Sequence, residues 1–304
     1  MKQILRKALA HAIARMPKGV LIDREHFEIF QSAGVHVTPV HFYEPIPDTS
    51  QIDPALWNEP SKLVGIDKNM DGQSELLQEL CSAGFIDEYH RLPANSNNPN
   101  EYSRGGSFGG ADGAILYSMI RKFRPAQIIE IGGGHSSLLS LVAMNANGTS
   151  GRITSIDPFP QPYLKRRHDT NCELIESRVE QVPLRTFERL EANDILFIDS
   201  SHVIRIGGDV LYEYLEILPQ LNAGVIIHIH DIFMPHHYFK HWVLEEHRFW
   251  TEQYLVQAFL SFNKTFKILW AFGLMDAERP QELLRHFPDS HTGHGSSLWI
   301  IKTQ

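Results

Sequence analysis

"IIEIGGGHSSLLSLV", residues 128–142, is an apolar run that closes on an acid, three glycines and two serines before turning helical. The short β-branched run reads as a buried strand, and the apolar spacing after His135 reads as a helix that Ser136 or Ser137 would cap. Bare glycine between the two elements lets a ligand come very close to the main chain. The ligand, and the chemistry done on it, have to come from the rest of the chain.

Outward from this unit, strand and helix alternate at short spacing. "RITSID" (152–157), "CELIES" (172–177), "DILFIDS" (194–200) and "AGVIIHIHDIF" (223–233) read as further strands. Between them lie a short helix at 182–190 and a longer one at 207–221. A long single helix follows at 240–262, and "FKILWAF" and "SSLWIIK" close the chain as two strands with no helical pattern between them. Such alternation predicts an α/β fold with a doubly wound, mostly parallel sheet and a final antiparallel hairpin at its edge. In such sheets ligands sit beyond the carboxyl ends of the strands, where strand order switches.

Upstream, residues 74–92 read as a helix and 93–110 as a loop rich in Asn, Pro, Gly and Ser, placed like a lid or a linker. Two regions follow: a helical and irregular N-terminal extension, 1–100, and a main domain, 101–304. The extension is expected to shape an acceptor pocket, to serve as a lid, or to make a homodimer contact. Its first 22 residues form a basic amphipathic pattern. That pattern could be a transit peptide or a membrane-surface helix, and the ordinary reading is a helix packed on its own protein.

Bulk properties narrow the function classes. Net charge is −8 with no basic block, which argues against a nucleic-acid partner. No apolar run is long enough for a membrane span. The two cysteines, Cys81 and Cys172, lack paired spacing, which argues against cysteine-bound zinc and suits the cytoplasm.

The glycine turn carries two acids. Glu130 ends the first strand two residues before Gly132, and Asp157 ends the next strand, where it can take both hydroxyls of a ribose. A nicotinamide dinucleotide and S-adenosylmethionine both fit so far. The dinucleotide fingerprint wants glycine at 137, which is serine. A carboxylate at 130 repels a pyrophosphate and welcomes the cationic amino-acid end of S-adenosylmethionine.

"IIEIGGGHSS", "SIDP", "LFIDSSHV", "GGDV" and "GVIIHIHDIFMP" together resemble the class I S-adenosylmethionine-dependent methyltransferases, in their bacterial branch with an ExGxGxS turn and a DxxH segment after strand four. The likeness covers about residues 100–304. It implies a Rossmann-like seven-stranded sheet and a set of cofactor residues. Glu130, Gly132 and Gly134 would line the methionine end, with Ser136 standing where the family has its third glycine. Asp157 would hold the ribose, and Ser177, Arg178 and Glu180 would flank the adenine. Asp199 would position the cofactor, and the helix at Asp112 with the preceding "YSRGGSF" would cover it.

Strand four ends on Asp199 and His202, and strand five on His228, His230 and Asp231. These ends lie side by side in a doubly wound sheet, so Asp199, His230 and Asp231 could meet if a turn swings Asp231 inward. Two carboxylates and an imidazole suit Mg, Mn or Fe. The catechol type of the same family resembles this arrangement, with one acid after strand four and two adjacent metal ligands after strand five. His202, His230, His236 and His237 are candidate general bases, and His291 and His294 could reach the same mouth. Gly207, Gly208 and Asp209 read as structural.

The expected activity is methyl transfer from S-adenosylmethionine to a hydroxyl or amine of a small molecule, helped by a divalent cation. Three rivals remain: a metal-dependent enzyme on the same fold that does not methylate, a nicotinamide dehydrogenase, and a catalytically silent binding module.

Overall fold

The structure is a computed structural model that describes residues 2–17, 23–148, 151–165, 171–287 and 295–304. The chain divides into two compact units. One comprises residues 1–56 and 241–249, the other 57–240 and 250–304.

The smaller unit contains helices α1 (Lys2–Ala14) and α2 (Arg24–Ser32). Asp23 caps α2 by accepting from His26 N at 3.1 Å. None of the described side chains in this unit is buried. Ile4 and Leu9 of α1 stay 74% and 62% exposed.

The larger unit is built on a seven-stranded sheet: β1 (Gln127–Ile131), β2 (Arg152–Ile156), β3 (Cys172–Ile175), β4 (Ile195–Ile198), β5 (Ile226–Ile229), β6 (Phe266–Ala271) and β7 (Leu298–Lys302). Their order is β3-β2-β1-β4-β5-β7-β6. Strands β1 to β5 run parallel, and β7 lies antiparallel between β5 and β6. The switch in strand order falls between β1 and β4, so the glycine turn after β1 opens onto the ligand crevice.

The central strands are mostly apolar because both faces are covered. Side-chain alternation sends Ile128 to one apolar layer, shared with Leu116, Phe197 and Trp299. Ile129 and Ile131 go to the other, shared with Leu196, Ile227 and Tyr214. Glu130 follows Ile128 onto the first face and is left 1% exposed. That layer is roofed by α3 (Met70–Ser82), α4 (Phe85–His90), α5 (Gly110–Phe123) and α6 (His135–Ala146). Residues 57–100 thus fall in the unit that carries the sheet. Gln73 of α3 accepts from Ala271 N at 2.7 Å, which ties this segment to β6.

Five details differ from the sequence expectations. The helix read at 74–92 is α3 and α4, broken at Gly84, whose φ is +76°. The helix read at 207–221 is α7 (Asp209–Tyr212), a π turn at Glu213–Ile217 and a last turn at Leu218–Gln220. Pro219 supplies no N–H there, and the ladder widens just before it. The long helix read at 240–262 is two, Lys240–Leu244 and α8 (Glu252–Leu260). The second starts where Thr251 N and Glu252 N both donate to His202 O, at 2.8 and 3.1 Å, a tertiary demand invisible to periodicity. The residues read as a helix at 182–190 hold only a 3-10 turn, Leu184–Thr186. The final strands are joined through α9 (Phe272–Glu278) and α10 (Pro280–His286), each of seven residues and too short for an apolar period to show.

Candidate active site

Gly132 follows β1 with φ +84°, and a Cβ there would collide with Asp199 O. The fold itself demands this glycine, because Asp199 N donates to Ile131 O at 2.9 Å and draws the end of β4 against the turn. Gly134 differs. The nearest atom a Cβ there would meet is Tyr163 Oη at 3.9 Å, so packing leaves its main chain bare. Gly134, not a serine, is the N-cap of α6, and its N–H donates to Ser137 Oγ at 3.2 Å.

The two serines expected as caps serve Glu130. Ser136 Oγ donates to one carboxylate oxygen, and Ser137 Oγ donates to the other at 2.6 Å. Burial pushes the Glu130 carboxyl up to about 8, against the pull of the two hydroxyls, with Asp199 and Asp157 adding to the rise. Asp157 closes a turn by accepting from Phe159 N at 2.6 Å, and burial raises its carboxyl also.

Gly132, Asp157, Arg178, Glu180 and Asp199 come together as the wall of one cleft of about 360 Å³, with Arg205 and Asp209 beside them. Asp209, expected to be structural, accepts from Ser201 N at 2.9 Å and Ser201 Oγ at 2.7 Å. A larger groove, of about 490 Å³, lies between α3 and α10 on helices, away from any strand end. Glu130, Gly134, Ser136 and Ser177 are not in the wall of the cleft. Asp112 is not there either. Its carboxylate is engaged by Ser296 N at 2.8 Å and Ser297 N at 3.0 Å, pinning the start of α5 to the entry of β7.

Beyond β4 and β5 the metal set differs from the expected one. Asp199, His202 and Asp231 converge, with donor atoms all within 4.8 Å of one another. His202 Nε2 stands 3.3 Å from Asp199 Oδ1 and 3.7 Å from Asp231 Oδ2. His202 and Asp231 reach this point through left-handed backbone, φ 59° and 55°. That is the inward swing Asp231 needed. His230 approaches only Asp231, at 3.8 Å, and its ring lies under Phe108 with centroids 5.1 Å apart. Its Nδ1 is buried with no partner among the described residues.

Behind His202 stands an acid the sequence reading missed. Glu252 Oε2 lies 2.8 Å from His202 Nδ1, and Tyr214 Oη donates to Glu252 Oε1 at 2.8 Å. Burial opposes a charged His202 ring, but the hydrogen bonds to Asp199 and Glu252 outweigh it and lift the ring to about 10. Burial also opposes charge on His230, and Asp199 and Asp231 outweigh it there. Asp199 stays below its ordinary range because His230 and His202 overcome its burial. Glu213, also missed, accepts from Ser200 Oγ at 3.0 Å. An acid inside an otherwise apolar helical face, as at Glu213 beside Val210 and Tyr214, was the available signal.

His236 is exposed, while His237 is half-buried with Tyr254 Oη at 3.1 Å from its Nδ1. Burial, helped by His236, holds the His237 ring below its ordinary value. His291 and His294 lie outside the described residues.

Residues 129–232 match the methyltransferase domain family. An uncharacterized protein of Archaeoglobus fulgidus is 32% identical over 189 residues, 59% of this chain and 81% of that protein. Among solved structures, the fold is similar to S-adenosylhomocysteine-bound PaMTH1 of Podospora anserina, at 17% identity and TM-score 0.43 over 77% of this chain and 88% of that one. It is also similar to the plantazolicin methyltransferase BpumL bound to S-adenosylhomocysteine and a substrate analogue, at 14% identity and TM-score 0.37 over 77% and 99% of the two chains. The family match takes in the glycine turn and the ends of β4 and β5, so residues 129–232 form a methyltransferase domain, set in a seven-stranded Rossmann-like sheet.

Proposed function

We propose that the protein transfers the methyl group of S-adenosylmethionine to a hydroxyl or amine of a small molecule, and that Asp199, His202 and Asp231 hold a divalent cation beside the acceptor. The observation that carries this reading is the convergence of those three side chains at the ends of β4 and β5, with Asp199 also in the wall of the cofactor cleft. Asp157 takes the ribose, Arg178 and Glu180 flank the base, and Glu130 answers the cationic amino group.

The donor set fits Mg, Mn or Fe. It has two carboxylates and an imidazole whose other nitrogen is fixed by a buried carboxylate, the support a ligating histidine usually has. A cation there supplies charge that holds acceptor oxygens and eases loss of their proton. Among the candidate bases, His202 is taken up as a ligand of the cation, and His230 is surrounded by acids that favour its charged form. His237, half-buried beside Tyr254 with its ring held below its ordinary value by burial, is the base we propose for the acceptor's proton. The chain is placed in the cytoplasm on its cysteine usage. Among the described residues no helix is long and apolar enough to cross a membrane.

The test is calorimetry with S-adenosylhomocysteine with and without EDTA, paired with turnover of methyl-labelled S-adenosylmethionine against a panel of small hydroxyl and amine acceptors. Binding that survives EDTA while labelled product disappears is the expected result. Turnover that is equal in EDTA removes the cation from the proposal, and absence of cofactor binding removes the methyl transfer.

A further inference from the structure

We infer that His135 is a positioning residue that clamps the segment 103–108 beside the cofactor turn, and that Phe108, carried by the same segment, walls the acceptor side. The inference rests on the methyltransferase reading above.

His135 directly follows Gly134. Its Nδ1 lies 3.2 Å from Ser107 N and 2.8 Å from Ser107 Oγ. A backbone N–H can only donate, so Nδ1 carries the lone pair here and the proton sits on Nε2. Gly106 presses on the same ring, where a Cβ would come within 2.9 Å of Cε1. The segment therefore meets the imidazole main chain first.

It is also braced within itself. Arg104 N donates to Pro93 O at 2.9 Å, and Gly105 N donates to Ala94 O at 2.8 Å. Tyr102 Oη donates to Phe108 O at 3.1 Å. Phe108 is 6% exposed, and its ring centroid stands 5.1 Å from His230 and 5.8 Å from Phe197. One braced loop thus touches the cofactor turn through Ser107 and the strand ends through Phe108. Ser107 leaving His135 frees the turn for cofactor exchange and loosens the acceptor wall in the same movement.

The test compares wild type with His135→Ala, His135→Asn and Ser107→Ala. Asn offers Oδ1 in place of Nδ1 as acceptor. Amide deuterium exchange at Ser107 should quicken roughly tenfold in His135→Ala, and the off-rate of S-adenosylhomocysteine should rise by a similar factor. His135→Asn should return both to within about threefold of wild type, and Ser107→Ala should fall between. KM should rise more than kcat falls. Unchanged Ser107 exchange in His135→Ala overturns the clamp, as does a folded His135→Asn that restores nothing. If His135→Ala does not fold, the Asn and Ser107 variants decide alone. Wild type that binds no S-adenosylhomocysteine would defeat the cofactor reading, while the exchange comparison would still decide the clamp.

Discussion

His202 Nδ1 and Glu252 Oε2 are 2.8 Å apart, across fifty residues of chain, and Glu252 is fully buried. The bond fixes which imidazole nitrogen faces Asp199 and Asp231. Glu252→Gln preserves the shape of the contact and removes its charge, so affinity for Mn²⁺ should fall about 10- to 100-fold, read by calorimetry. Glu252→Ala also strands a buried imidazolium and should cost about 3–5 kcal/mol in denaturant unfolding of the metal-free protein.

His202 and His230 make separable predictions. If His202 is the ligand, His202→Ala should weaken Mn²⁺ binding by at least about 100-fold, and His230→Ala should leave it within about tenfold. Electron paramagnetic resonance of bound Mn²⁺ reads both. The reverse ranking would restore the ligand set that the sequence alone suggested.

The two ends of the glycine turn should respond in opposite ways. Gly132→Ala places a Cβ in left-handed backbone against Asp199 O and should cost more than about 4 kcal/mol, seen as a large fall in Tm. Gly134→Ala enters open space and should leave Tm within a few degrees of wild type. It should weaken S-adenosylhomocysteine binding by roughly tenfold or more if the cofactor lies on that bare main chain. Equal affinity in Gly134→Ala would move the cofactor off the turn.

Glu130 predicts a pH dependence. Its folded carboxyl is raised from an ordinary 4.5 to about 8, so the fold favours the neutral form. That contribution to stability is complete below about pH 4.5 and is lost as pH rises through about 8. A cationic ligand favours the ionised form. Cofactor affinity should therefore increase from about pH 6 to pH 8, by no more than about tenfold per pH unit, with release of a proton. Calorimetry at pH 7 in two buffers of different ionisation enthalpy measures that proton, and Glu130→Gln should abolish it.

The sheet was legible because its central strands are buried on both faces, and runs such as Ile128–Ile131 and Ile195–Ile198 announce themselves without context. Asp157, Arg178, Glu180 and Asp199 were legible as cleft residues because each sits just beyond a strand end, where topology alone places a ligand. His202 was harder to assign. It stands three residues past its strand, and only a left-handed turn brings it back over Asp199. Glu252 was hidden by the helix break before it, since the periodic reading ran a single helix through residues 240–262. The short helices α9 and α10 escaped because seven residues hold too few apolar repeats to register.

The left-handed backbone at His202 and Asp231 means that both side chains are delivered against local conformational preference, at a cost of roughly 1 kcal/mol each. Glycine at either position would relax the loop and remove the donor. Selection for heat tolerance alone would push these two positions toward glycine, and selection for turnover would hold them where they are, so thermal hardiness and catalytic competence compete at the same two peptide units.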